Sequence, residues 1–265
     1  MSDNKPWSTY GIKALSPSAI NKFIDSPASY VMSYVYKKFT PAGSAAKRGN
    51  AVEDGIMMGL VNNASIEEAI NYAQGQFDSL VSYVPETAEK KQKERNMIEG
   101  MVTQGIEILK PYGTPEVVYD SKGKLKQHDV SCEIEGLGVC LGGKIDLYYP
   151  QHGLIVDIKT KGAMPKEISN AEARQGAVYL AADGFSNHEM RFVILTPKKN
   201  QTLMLHDFRE RFDEAKEAAL TIKRFLSLSD DKEDLRKIVF PNFDDWKMNE
   251  NAQSEAKKVW TSLKG

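Results

Sequence analysis

The stretch from Leu141 to Thr160, LGGKIDLYYPQHGLIVDIKT, carries two aspartates and two lysines in an arrangement that can do chemistry. Leu, Ile, Tyr and Val alternate with glycine and charged residues, which reads as two strands. Pro150, Gln151, His152 and Gly153 supply the turn between them. With Tyr149 and Leu154 as the closing pair, antiparallel register sets Asp146 opposite Asp157 and Lys144 opposite Lys159. Directly opposed residues share a sheet face, with Cβ atoms about 4.5–5.5 Å apart. Lys159 falls on the face of Asp157, because side chains alternate with a period of two. Opposed like charges destabilise a strand pair, and a divalent cation between them removes that penalty. All-oxygen ligation suits Mg²⁺ or Mn²⁺. The same spacing also serves an ordinary hairpin on which Lys144 and Lys159 neutralise two surface aspartates, so the hairpin alone leaves both readings open.

Two further polar positions depend on helices. Residues 44–60 have an apolar stripe of Val52, Ile56, Met57 and Leu60. Glu53 borders that stripe, and a carboxylate at a buried face needs a partner; a solvated edge position is the plainer alternative. In a helix over 171–182, Gln175 and Tyr179 are four apart and stack on one face. Alone, that pair is also ordinary helix surface.

The elements that must position these groups follow in order. Residues 1–15 read as an arm or short linker. A helix starts at Ser16-Pro17 and is broken by Ser26-Pro27, and a second short helix carries Tyr30, Val31, Tyr34 and Val35. A helix over 65–80 is capped by Ser65 with Glu68 three residues on. A long helix spans 86–110, including the charge run EKKQKERN. Strands follow over 115–120, 125–135, 139–149 and 154–158, then the helix over 171–182, strands over 190–196 and 202–207, and helices over 208–228, 232–238 and 249–263. PNFDDW, residues 241–246, reads as a loop. The order implies an α+β fold, a mixed sheet flanked by helices. It is expected as one domain over 16–265, with a helical subregion (16–113), a catalytic sheet core (114–207) and C-terminal helices (208–265).

The 265 residues carry 35 basic and 36 acidic side chains, a net charge of -1, so overall charge does not imply a nucleic-acid partner. A local basic surface would have to serve: Lys37, Lys38, Lys47 and Arg48, then Lys161 and Arg174. Cys132 and Cys140 are the only cysteines, too few for a Cys₄ zinc site or an iron–sulfur cluster. They could face each other across the Gly136–Gly138 turn, but free thiols are expected. No run of about 18 apolar residues suggests a membrane span, and the N-terminus has no apolar signal region. The expected compartment is the cytoplasm.

Taken together, Gly142-Gly143-Lys144-Ile145-Asp146, ten residues, Asp157-Ile158-Lys159-Thr160, then a helix with Gln175 and Tyr179, resemble the PD-(D/E)XK nuclease superfamily, in particular its RecB-like branch. LSPSAINKF, SPASY and RGNAVEDG resemble that branch's opening helices, so the likeness runs from about Ser16 to Tyr179. The resemblance implies a restriction-endonuclease-like core and a Mg²⁺- or Mn²⁺-dependent deoxyribonuclease using one or two ions. Asp146 and Asp157 would be catalytic metal ligands, joined by the backbone carbonyl of Ile158. Glu53 stands where many RecB-like members have His, and phage-type relatives have Glu there. Lys159 would position or activate the attacking water, helped by a lowered pKa. Gln175 and Tyr179 would contact DNA or hold the site together, with Arg174, Lys161, Arg48 and Lys47 on the phosphate backbone. Asp157 replaces the commoner Glu. Ser26-Pro27 stands where iron–sulfur members have Cys-Pro, so no iron–sulfur cluster is expected.

The implied activity is exonucleolytic hydrolysis of DNA ends, 5′→3′ and without sequence preference, in recombination, repair or phage DNA metabolism, within the host cytoplasm if phage-encoded. A strand-annealing recombination protein and a homo-oligomer are the implied partners. A CRISPR-associated-type RecB-like nuclease or an endonuclease is the nearest alternative. A non-catalytic DNA-binding subunit is the alternative of another class.

Overall fold

The computed structural model describes residues 4–39, 41–119, 121, 125–243 and 250–261. The chain begins with helix α1 (Lys5–Thr9) and a short strand β1 (Ala14–Leu15). These are not the arm expected for residues 1–15. Trp7 is wholly buried and its indole Nε1 donates to the carbonyl of Leu137 at 2.6 Å. The Tyr10 hydroxyl donates to the carbonyl of Ser229 at 2.6 Å. With Ile12 and Leu15 also buried, this stretch has enough apolar surface to dock rather than trail in solvent.

Ser16 caps α2 (Pro17–Asp25), its hydroxyl accepting from the N–H of Ala19, and Pro17 sits at the first turn, where its missing N–H costs nothing. Ser26 caps α3 (Pro27–Tyr30), which continues as a π-turn over Val31–Val35. Phe23, Tyr30 and Tyr34 pack together there: the Tyr30 and Tyr34 rings stack at 4.7 Å. The helix α4 (Ser44–Val61) buries Ala51, Val52, Ile56 and Leu60 against α5 (Ile66–Val81). A Cβ at Gly55 would lie 2.8 Å from the Cβ of Ala73, so the glycine allows the two helices to close on each other.

The single helix expected over 86–110 is two, α6 (Ala88–Arg95) and α7 (Ile98–Leu109), separated at Asn96-Met97. Only α7 has an apolar stripe, Ile98, Met101, Val102, Ile106 and Leu109, all buried. The sequence AEKKQKER of α6 has no comparable face to bury, so nothing holds it to the same axis.

The strands are β2 (Val118–Tyr119), β3 (Leu125–Lys126), β4 (His128–Cys132), β5 (Cys140–Ile145), β6 (Leu147–Tyr149), β7 (Leu154–Thr160), β8 (Glu189–Leu195) and β9 (Asn200–Met204). One sheet has the order β6-β7-β8-β9, with β7 and β8 parallel and the other pairs antiparallel. A second has the order β1-β5-β4, and β2 pairs with β3. The β6–β7 hairpin closes on Tyr149 and Leu154, the register expected from its turn. Its ladder stops at Leu147 and Val156. Beyond Asp146 the chain leaves this partner, and β5 pairs with β4 instead. Lys144 therefore faces Asp129 rather than Lys159.

Helix α8 (Asn170–Ala181) packs on the β6–β9 sheet through Tyr179 and Leu180 against Ile155, Phe192 and Ile194. The opposite face, with Leu154, Val156, Ile158 and Val193, joins the core of α4, α5 and α7. Leu154 to Ile158 is buried throughout, as befits a strand covered on both faces. A third core collects α1, α2, α3, α9 (Phe208–Leu226), α10 (Lys232–Ile238) and α11 (Glu250–Thr261). The loop expected over 241–246 lies partly outside the described residues. Cys132 is buried and Cys140 exposed, both free, because β4–β5 register sets Cys132 against Leu141. Among the described residues no helix is long and apolar enough to cross a membrane.

Candidate active site

Asp146 occupies the bend where β5 ends and β6 begins. Its Oδ2 accepts from the backbone N–H of Ile158 at 2.8 Å, so the side chain takes over a bond that the interrupted ladder no longer supplies. Its Oδ1 accepts from Gln127 Nε2 at 2.7 Å. Asp157, on β7, is only 1% exposed. Lys159 Nζ stands 2.6 Å from Asp157 Oδ2 as a close, buried ion pair.

Lys159 continues into a chain of polar contacts. Its Nζ donates to Gln175 Oε1 at 2.9 Å, and Gln175 Nε2 donates to the Tyr179 hydroxyl oxygen at 2.7 Å. Both partners stand on α8, whose N-terminus is fixed by a reciprocal Ser169–Glu172 capping box. Tyr179 passes closely over β5: a Cβ at Gly143 would lie 2.8 Å from its Cε1. Gly143 thus clears room for α8, while Gly142 lets β5 lie close to Val130 and Ser131 of β4.

These groups open onto one cavity of about 450 Å³. Glu53 enters it from α4, Ser16 and Ser18 from the start of α2, Gln127 from the β3–β4 junction, and Lys144 from β5. The convergence shows in the electrostatics. Burial, then the charges of Asp146 and Asp157, push the Glu53 carboxyl up to about 9. Burial and then Asp157 push Asp146 up to about 7, opposed by the N–H of Ile158 and by Lys159. Burial likewise raises Asp157, against the pull of Lys159.

Lys159 itself moves opposite to expectation. Burial acts to lower its pKa, but Asp157 and Asp146 together outweigh it and hold the ammonium above its ordinary value. In the metal-free chain the two aspartates thus hold Lys159 as an ammonium. Burial and Asp157 also keep Tyr179 a neutral phenol.

Three buried carboxylates facing one lysine leave an excess of negative charge and oxygen ligands, which fits a hard divalent cation by charge and by ligand type. The groups are not drawn into a closed ligand set: among the described residues no three His, Cys, Asp or Glu side chains already stand as a metal cage.

The basic residues divide differently from the sequence expectation. Arg48 is 4% exposed, paired with Glu94 on α6, and its Nη2 donates to the carbonyl of Thr160 at 3.3 Å. Arg174 is 9% exposed; its Nε donates to Asn21 Oδ1 at 2.8 Å, and its Nη1 lies 3.2 Å from Glu214 Oε2. Both are internal ties, withdrawn from any phosphate backbone by partners that lie far away in sequence. Lys161 pairs with Glu172 at 2.7 Å and Lys38 with Glu255 at 2.5 Å. Lys47 is half-buried on the flank of α4, while Lys37 and Lys144 are exposed. Gln127 has no signal in the sequence, since a lone glutamine before a strand carries no motif.

A solved structure titled "Crystal structure of SSO0001" is similar at 14% identity with a TM-score of 0.34, over 64% of this chain and 74% of that one. No curated protein matches the sequence. The family model of the PD-(D/E)XK nuclease superfamily matches residues 14–255, from β1 into α11 and across every group that opens onto the cavity, and the chain therefore belongs to that superfamily.

Proposed function

We propose that the chain is a RecB-like, Mg²⁺- or Mn²⁺-dependent exonuclease that hydrolyses DNA from its ends, 5′→3′ and independently of sequence, in recombination, repair or phage DNA metabolism. The observation that carries this reading is the arrival of Glu53, Asp146, Asp157 and Lys159 at one cavity from three separate elements. Glu53, Asp146, Asp157 and the carbonyl of Ile158 would hold one ion or two. When bound, a divalent cation lowers the pKa of water and offsets negative charge on the phosphate.

The chain's own residues do the rest. The water oxygen forms a bond to phosphorus, the bond to the departing sugar oxygen breaks, and the proton lost by the water balances the one gained by the leaving alkoxide. Lys159, held as an ammonium by Asp157, opposes the charge that gathers on the phosphoryl oxygens in the transition state. Gln175 fixes Lys159 Nζ, and Tyr179 fixes Gln175. The exposed Lys37 and Lys144 and the half-buried Lys47 would meet phosphates, a contact insensitive to base sequence.

The test compares 5′-labelled, 3′-labelled and circular DNA under Mg²⁺, with Asp146→Ala as the control. Loss of the 5′ label as mononucleotides, with circles intact, supports the proposal. Cleavage of circles would make the enzyme an endonuclease. No cleavage of any substrate would leave a DNA-binding subunit.

A further inference from the structure

We propose that Gln127 is a positioning residue that fixes the Asp146 carboxylate for a divalent cation, and that it favours Mg²⁺ over cations with looser geometric demands. The inference rests on the metal-site reading above.

Gln127 occupies the single position between β3 and β4, where the chain passes from the β2–β3 pair to the β4–β5 pair. It is half-buried and opens onto the cavity with Glu53, Asp157 and Lys159. The Asp146 carboxylate is acceptor-only when ionised, so the contact at 2.7 Å fixes which end of the Gln127 amide faces it. The Ile158 N–H holds the second oxygen at 2.8 Å. One donor is rigid backbone on β7 and the other a side chain at the β3–β4 junction. Together they stop the carboxylate from turning about its last bond, and each oxygen keeps lone-pair capacity for an ion.

Such control matters most for Mg²⁺. It demands near-octahedral oxygens at about 2.0–2.1 Å and sheds water reluctantly. A carboxylate free to swing still serves a more permissive cation. Partners that orient a ligating side chain typically contribute about 10–100-fold in metal affinity or activity.

The experiment uses the full chain and two variants. Gln127→Ala removes the donor; Gln127→Glu keeps the shape but sets a carboxylate against Asp146. Calorimetric titration with Mn²⁺ alone should show binding to the wild type and a roughly 10–100-fold weaker Kd for Gln127→Ala, weaker still for Gln127→Glu. On linear DNA, Mg²⁺-supported kcat should fall further than Mn²⁺-supported kcat, with KM for DNA little changed. A merely structural role would not move that metal ratio. A wild type that binds Mn²⁺ while both variants bind it within twofold, or equal losses with the two metals, overturns the inference alone. A wild type that binds no Mn²⁺ overturns the metal-site reading and this inference with it.

Discussion

Replacing Glu53 with Gln should make the metal-free protein more stable at alkaline pH while abolishing its activity. Glu53 holds its proton up to about pH 9 in the folded chain, against an ordinary value of 4.5. Between those limits the folded state binds more protons than the unfolded one, so stability falls as pH rises. At pH 8 the ceiling on that penalty is about 5 kcal/mol, from 3.5 pH intervals at about 1.36 kcal/mol each. Asp146 and Asp157 titrate in the same window and share the penalty, and the new amide is itself costly to bury. A net gain of about 1–3 kcal/mol is therefore expected, or roughly 2–6 °C in Tm. The assay is thermal unfolding in EDTA from pH 5 to 8.5, repeated with saturating Mg²⁺. The variant should gain on the wild type steadily as pH rises, and the gap should narrow or reverse with Mg²⁺, which stabilises only the chain that binds it. Parallel curves across the pH range in EDTA would refute the convergence of the three carboxylates.

Three further outcomes follow from other contacts. Lys159→Ala should lower kcat by about 10²-fold or more while Mn²⁺ binding persists in calorimetry; unchanged cleavage would remove Lys159 from the reaction. Arg48→Met should destabilise the fold by about 3–5 kcal/mol in urea, because it strands buried Glu94, while the salt dependence of DNA binding stays as in the wild type. Trp7→Ala should cost about 3–5 kcal/mol, measured the same way, and a loss under 1 kcal/mol would return residues 1–15 to the status of an arm.

The turn chemistry at Pro150–Gly153 was enough to set the hairpin register, because a short turn leaves few ways to pair its flanks. It could not reveal that the strand preceding Asp146, β5, pairs with β4 instead of extending the hairpin. That exchange depends on β4, whose pairing is written in no local periodicity, and it is why Lys144 meets Asp129. Glu53 was legible only as a carboxylate at the margin of an apolar stripe; its approach to Asp146 needs the packing of α4 against the sheet. Arg48 and Arg174 show the limit most clearly. Sequence displays their charge, but not Glu94, Asn21 and Glu214, which consume it. The break between α6 and α7 was likewise hidden, since helix propensity continues through it while the reason to stay straight does not.

The bend at Asp146 has a mechanical meaning. Two sheets part company at that residue, and its side chain is pinned across the fork, by Ile158 on one side and Gln127 on the other. A shear or twist between the sheets would pull on both of these hydrogen bonds and so turn this carboxylate. A strand of nucleic acid that pressed on either sheet would thus act on the same carboxylate, and catalysis and the grip on the substrate would share one pivot.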